Sequence, residues 1–415
     1  MKVTIIGGGI AGLATAYYLQ KQGLEVVVID RHQIEDGCSF GNMGYVSPSH
    51  FIPLATPGIV AQGLKWMLKS SSPFYIKPRL NFDLIKWGMH FWKSANANHV
   101  ERSIQPLNSL LQLSRELVTT DWKNELADGF DLTEKGCWML YKNEKTAHHE
   151  AELAAQADKL GLKTRICTPA EVQELEPQLQ VDVNGGVLYY DDCHVHPGKL
   201  MRTLYSYLIK KGVKCWLNTD VKGFEINNNR IVTVQTDKGD IASDAWVIAN
   251  GSWMGILGKK LGLHIPMQPG KGYSLSFDGM KNNLQHPAIL VDHRTATTPV
   301  GEWLRIGGTM ELSGHNNKVL PKRVQAVVDA VKLYFPDIKL PSVNPSSAWF
   351  GYRPVSPDGM PYIGQAKGLQ NCYFAGGHAM LGVSAAAGTG YVLGQLITGL
   401  QPEFSLDAFA PERFR

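Results

Sequence analysis

The chain has 415 residues, 44 % hydrophobic and 19 % charged, with a formal net charge of +4. That length exceeds one ordinary core and predicts two domains, or one large domain with an insertion, while the composition excludes disorder and fibrous repeats. Six scattered cysteines with no Cys-x-x-Cys pair, and no histidine cluster at zinc spacing, exclude a disulfide framework, a dithiol redox centre and a bound metal.

The N-terminal stretch "KVTIIGGGIAGLATAYYLQKQGLEVVVID" reads as strand, tight turn, helix over 10–22 and second strand. Its glycines interrupt the apolar run, so it is not a signal peptide, and a cytoplasmic protein is expected. Gly7 permits the sharp turn, Gly9 lets a pyrophosphate approach the backbone, and Gly12 lets the helix lie close to the strand. The helix start at Ile10 and Ala11 offers free amides and the positive dipole end to a phosphate. Asp30 closes the second strand, where an acid accepts hydrogen bonds from a ribose. The pattern predicts a bound dinucleotide. A nicotinamide dehydrogenase would continue with regularly alternating strands and helices. Here "DGCSFGNMGYVSPSH", residues 36–50, is a small polar loop suited to wrapping a resident cofactor, with Ser39, Asn42 and the amides near Gly44 as partners.

Residues 59–125 read as helical, with Leu84, Trp87 and Phe91 at spacings of three and four. Within 51–100, Lys65, Lys69, Lys77, Arg79, Lys86 and Lys93 face a single acid, Asp83, and alternate with Trp66, Phe74, Tyr75, Trp87, Phe91 and Trp92. Two readings stand: a face that lies on an anionic membrane, or helices with aromatic residues in the core and lysines in water. Residues 130–142 are strand-like and 144–161 helical, with Gly161 as a stop. A helix over 198–211 precedes strands at 213–217, 221–226, 231–236 and 245–249, with Asn228-Asn229 supplying a hairpin turn. Residues 264–315 are rich in strands and turns, and a helix over 322–334 follows. Then come "GYRPVSPDGMPYIG", 351–364, and a strand that runs into a glycine-laden helix. The run 378–400 carries no charge over a length that could span a membrane. Its five glycines with Ser384, Thr389, Gln395 and Thr398 make it weakly hydrophobic, which predicts a helix pressed against a ligand or a sheet. The basic excess carries no recognised nucleic-acid module.

The expected fold is α/β: a discontinuous Rossmann-like cofactor domain over 1–95, 146–255 and 346–415, with an inserted, mostly antiparallel β-sheet domain carrying helices over 96–145 and 256–345. The N-terminal turn, "GCSFGNMGYVSP", "VIANGSW", "PGKGYSL", "GYRPVSPDGMPYIG" and "GGHAMLGVSAAAGTG" resemble, in order and spacing, the FAD-dependent D-amino acid oxidase superfamily. The overall pattern is most similar to bacterial D-amino acid dehydrogenases of the small-subunit type. The resemblance covers essentially the whole chain and implies a GR2-type fold with noncovalent FAD extended across the cofactor domain. It assigns Gly7, Gly9 and Gly12 to the pyrophosphate turn, Asp30 and Arg31 to the ribose end, and Ser39 and Asn42 to the second loop. Val221 falls on the strand that meets adenine, Asn250 and Gly251 on "VIANGSW", and Gly377, His378 and Gly382 on the turn and helix start below the flavin pyrimidine. Relatives that tether flavin do so through a cysteine just before the proline–aspartate pair; Gly351 stands there, so a covalent link is not expected.

Arg353 offers a permanently charged planar fork in a proline- and glycine-rich loop, and the resemblance implies that it pairs with the substrate carboxylate. Tyr273 and Tyr352 are candidate second donors to that carboxylate, or half-buried strand tyrosines. His378 and His50 are candidates to face flavin or substrate, and Lys271 is either near the ring or a surface lysine. The reaction implied is hydride transfer from Cα of a D-amino or imino acid to flavin, giving an imine that hydrolyses to a 2-oxo acid and ammonia. The electrons would pass to a quinone or other acceptor, and a peripheral position on the inner membrane face stays open. Glycine, sarcosine or D-hydroxyproline oxidation, a nicotinamide-dependent dehydrogenase and a non-catalytic flavin-binding subunit are the rival readings.

Overall fold

The computed structural model describes residues 1–67, 72–126 and 129–414; Lys69 and the side chain of Trp66 lie outside what it describes. Two sheets organise the molecule. The first has six strands in the order Tyr362–Gln365, Cys372–Gly376, Ala245–Ile248, Lys2–Ile6, Glu25–Ile29 and Lys214–Trp216, all parallel except the Tyr362–Gln365 edge. Its central strands are apolar runs such as "EVVVI" because helices or a second layer cover both faces. Helix Ile10–Lys21 lies on one face and packs directly on helix Gly382–Ile397. At Gly390 a Cβ would stand 2.5 Å from the backbone of Ala14, and at Gly388 2.8 Å from the Leu110 carbonyl oxygen. The uncharged glycine-laden run is therefore an interior helix, held between Ile10–Lys21 and Ala97–Leu117, as its weak hydrophobicity predicts. Among the described residues no helix is long and apolar enough to cross a membrane.

The second sheet has nine strands. Trp349–Val355, Gln268–Phe277, Trp303–Leu312, Thr295–Val300, Ala288–Leu290, Cys137–Tyr141, Gly185–Tyr189 and Thr164–Cys167 follow one another, and Phe74–Ile76 adds beside Trp303–Leu312. Pairing is antiparallel except where Ala288–Leu290 meets Cys137–Tyr141 and where Phe74–Ile76 joins. Helix Pro321–Tyr334 covers one face through Val324, Val327, Val328 and Val331.

Two assignments from the sequence are corrected. Phe74–Ile76 is a strand inside the stretch read as helical, because Pro73 and Pro78 break the helix and a sheet edge is at hand. Strands Phe74–Ile76, Thr164–Cys167, Gly185–Tyr189 and Trp349–Val355, read into the cofactor half, belong to the nine-stranded sheet, since pairing partner is a tertiary choice that local pattern does not encode. A small antiparallel sheet, Val221–Asn227, Arg230–Thr236 and Gly239–Ala242, has the expected turn: Asn228 and Asn229 are both left-handed, at φ 48° and 57°.

Candidate functional site

The glycine turn does what its spacing predicts. Gly7 sits at φ +122°, where a side chain would collide with the Ala249 carbonyl, and a Cβ on Gly12 would overlap the Gly7 carbonyl oxygen. Gly9 meets only Ser39 Oγ, at 3.4 Å, so its free space opens to the cavity rather than to protein. The Ile10 amide donates to Ser39 Oγ at 3.0 Å, and the Gly8 and His32 amides donate to the two oxygens of Asp30 at 2.6 and 2.8 Å. Asp30 thus braces the turn and still has lone pairs to offer. Asn42 is committed within its loop: it donates to the Ser39 carbonyl at 2.6 Å and accepts from the Gly44 amide at 2.6 Å. These bonds shape the loop, and the second N–H of the amide stays available on the cavity wall. Gly44, at φ +73°, lets that loop lie against the Val195 carbonyl.

A single cavity of about 1460 Å³ is lined by Gly7, Gly9, Ile10, Ala11, Asp30, Arg31, Ser39, Asn42, Gly44, Val221, Asn250, Gly251, His378 and Gly382. The two expected glycines off this wall, Gly12 and Gly377, act by packing. Gly377, at φ +76°, turns the chain where a Cβ would press on Tyr362 at 2.8 Å. The volume exceeds the few hundred to about 1,000 Å³ of a drug-sized site. Asn250 Oδ1 is buried with no partner among the described residues, a polar atom free to meet a ligand. Helices Ile10–Lys21 and Gly382–Ile397 both begin at the cavity without a side-chain cap from the preceding residue, Gly9 or Leu381. Two uncapped helix starts, an open glycine and an orphaned amide oxygen fit a long, anionic dinucleotide with a second charge-accepting end.

Arg353 reaches the same cavity from strand Trp349–Val355. Its guanidinium lies across Gly272, where any Cβ would overlap it, and Nη1 donates to the Thr309 carbonyl at 2.7 Å. Among the described residues no carboxylate pairs with it; the group that acts on it electrostatically is the Cys38 thiol, and burial holds its pKa below the usual arginine range. Thr309 is a β-branched residue at φ +65°, a costly conformation, and its carbonyl is thereby turned to Arg353. Ala379, beside His378, is likewise left-handed, at φ +49°.

Of the two readings open for the tyrosines, the hydrogen bonds support strand residues rather than carboxylate donors. Tyr273 donates its one hydroxyl proton to Glu311 Oε2 at 2.8 Å and accepts from the Leu320 amide at 3.2 Å. Tyr352 donates to the Asn316 carbonyl and accepts from the Asn316 amide at 2.8 Å. A phenol has a single O–H, so neither has a donor left for a carboxylate; both line the cavity as aromatic wall. Lys271 is neither at the surface nor on the cavity wall. It is fully buried, donating to Asn316 Oδ1 at 2.8 Å and the Lys318 carbonyl at 2.6 Å, with Glu311 at 3.5 Å. His378 is held by Thr389 Oγ1 at 2.9 Å, and burial pushes it down to about 4, so it is neutral at pH 7. His50 is also pushed down to about 4 by burial, and its Nδ1 lies 3.1 Å from Ser49 Oγ.

Sequence reasoning missed Thr309, Gly272 and a stack at the ribose end, where the Arg31 guanidinium sits 3.9 Å from the Trp253 ring centre and Trp253 stacks on His315 at 4.5 Å. Trp253 stands inside the quoted "VIANGSW"; His315 carries no local signal, because only the loop after Trp303–Leu312 brings it there.

A glycine turn of the pyrophosphate-binding type and a buried cation, both on one cavity of dinucleotide size, mark a dinucleotide-dependent enzyme. The family model described as FAD dependent oxidoreductase (DAO) matches residues 2–396, and the chain belongs to that family. The chain is 32 % identical to the D-amino acid dehydrogenase of Granulibacter bethesdensis over all of both chains, and 30 % identical to that of Vibrio vulnificus over 97 % of each. Similar solved structures are glycine oxidase from Geobacillus kaustophilus, with a TM-score of 0.81 at 22 % identity over 100 % of this chain and 98 % of that one, and L-proline dehydrogenase from P. horikoshii, with 0.78 at 22 % over 100 % and 97 %. At that identity they show the fold alone.

Proposed function

We propose that this chain oxidises D-amino acids, cyclic imino acids included, to imines that hydrolyse to 2-oxo acids, and that it holds FAD noncovalently. When bound, FAD supplies the two-electron acceptor for a hydride from the substrate Cα. The chain's own work is to bind, orient and exclude water. Arg353 carries the reading: a cation with no acid partner among the described residues, braced on Thr309 and Gly272, opens on the cavity the dinucleotide turn also lines. A planar fork at such a place seats a carboxylate. The preference for the D series comes from the named relatives, because the similar solved folds include an L-proline dehydrogenase and an L-amino acid deaminase. Cys38 is the thiol in this cavity, and burial raises its pKa, which keeps it protonated and disfavours a thioether to the flavin.

We place the electron acceptor at a membrane. On helix Phe82–Ser94 the side of Trp87 and Phe91 lines the cavity, while Phe82, Ile85, Met89 and Trp92 on the other side are 83, 48, 53 and 68 % exposed. Lys86 and Lys93 flank that apolar face, and Asp83 is taken up by Lys259 at 2.6 Å. Such a helix suits an anionic bilayer and puts a lipid-dissolved quinone one helix away from the cavity.

The test is anaerobic mixing of the purified yellow protein with a panel of D- and L-amino acids, glycine and hydroxyprolines. Bleaching by D but not L substrates is expected, with acid releasing all of the flavin; no bleaching by any of them refutes the reading. Flotation with anionic liposomes at low salt tests the membrane face, and Trp92→Glu should abolish it.

A further inference from the structure

Behind the cavity wall stands a buried acid that the proposed reaction has not used. Asp192 follows strand Gly185–Tyr189, is 1 % exposed and, among the described residues, pairs with no cation. Its Oδ2 accepts from Ser49 Oγ at 2.6 Å and its Oδ1 from the Ser49 amide at 3.1 Å. Ser49 Oγ is in turn 3.1 Å from His50 Nδ1, and His50 lines the cavity. Because the serine has given its one proton to the carboxylate, it can only accept from His50. That assigns the ring as Nδ1–H and leaves Nε2 as a lone pair with no partner among the described residues.

Resting on the amino-acid reading, we propose that His50, Ser49 and Asp192 form a proton relay that deprotonates the substrate ammonium. An amino acid enters as an ammonium, and only the neutral amine can release a hydride from Cα. The bookkeeping closes without any oxidant: the ammonium N–H bond breaks as His50 Nε2 takes the proton, Nδ1 passes its own to Ser49 Oγ, and Ser49 passes its own to Asp192, which ends as the carboxylic acid. His50 touches the substrate; Ser49 and Asp192 act through it.

The surroundings suit the end acceptor. Burial pushes Asp192 up to about 7 against the pull of the Ser49 hydrogen bonds, with Asp191 raising it further. The other titratable groups that feel its charge, Tyr45, Tyr189, Cys137 and Cys193, are all neutral at pH 7, their pKa values raised by burial. His50 is kept neutral by burial and so hands protons on rather than storing them. A carboxyl near 7 accepts a proton at working pH and returns it through Ser49 and His50 to the open cavity once product has left.

The experiment is the pH profile of anaerobic flavin reduction at saturating D-amino acid. In the unsubstituted protein the rate should rise through a pKa near 7 and level off. In Asp192→Asn it should fall on the order of a hundredfold at pH 7 and recover as pH approaches that at which the free amine forms unaided. Ser49→Ala, which breaks the chain without touching the carboxylate, should show the same alkaline rescue, and serves if Asp192→Asn does not fold. Unchanged flavin content and visible spectrum are expected in both. A loss equal at every pH, or no loss at pH 7, overturns the relay while the amino-acid reading stands. If the unsubstituted protein is bleached by no D-amino acid, it is that reading which fails.

Discussion

Replacing Arg353 separates a substrate clamp from a structural cation. The guanidinium spends one N–H on the Thr309 carbonyl and keeps its remaining donors for the cavity. Two hydrogen bonds from a cation to a carboxylate contribute about 1.5–3 kcal/mol each. Arg353→Lys keeps the charge but loses the fork, so roughly one such bond goes. At about 1.4 kcal/mol per tenfold, kcat/KM should fall by a factor on the order of ten to a hundred, mostly through KM. Arg353→Met loses both and should fall by on the order of a hundred to ten thousand. The assay is steady-state dye reduction with a D-amino acid and with its amide, which has no carboxylate. The amide should be poor for the unsubstituted enzyme and no poorer for Arg353→Met. Gly272→Ala, whose new Cβ would overlap the guanidinium, should raise KM in the same way with flavin content unchanged. If Arg353→Lys stays within twofold on the amino acid, or Arg353→Met harms the amide equally, the clamp is wrong.

Other outcomes follow from the same geometry. Gly12→Ala should fail to yield folded protein, since its Cβ would overlap the Gly7 carbonyl, whereas Gly9→Ala should fold but lose flavin, as the methyl enters the open space of the turn; absorbance at 450 nm per folded chain distinguishes them. Asn250→Ala should weaken flavin binding yet raise the melting temperature of the flavin-free protein, because a buried acceptor without a partner costs about 1–3 kcal/mol in the empty fold. For pH, His50, His194, His315 and His378 are pushed down to about 4 by burial, so they stay neutral in the fold while the unfolded chain takes up protons below about 6.5. Asp192 and Glu150, raised to about 7, oppose this by holding protons in the fold. Four against two leaves unfolding to take up about two protons, so stability should drop as pH falls from 6.5 towards 4.5. Urea unfolding midpoints across that range check it, and His378→Asn should flatten the slope by one proton.

The sequence by itself determined the local pieces. Gly7, Gly9 and Gly12 between two apolar strands, Asp30 at the second strand's end, Asn228-Asn229 at φ near +50° and the interior helix Gly382–Ile397 were all legible, because turn geometry and strand or helix period are set within a few residues. Arg353 was legible as a lone cation, but the proline- and glycine-rich stretch read as a loop is at that point the strand Trp349–Val355, paired to Gln268–Phe277. Only the tertiary structure decided what each polar group has left to give. Tyr273 and Tyr352 read as donors, but Glu311 and Asn316, distant in the chain, consume their protons; Lys271 read as exposed and is sealed in the same network. Conversely Thr309, His315 and the link from Asp192 to Ser49 carry no local signal, since segments far apart in sequence bring them together, although His50 itself stood out in its loop. A hydrogen-bond donor can be counted from the sequence, but whether it is spent depends on contacts that exist only once the chain has closed on itself.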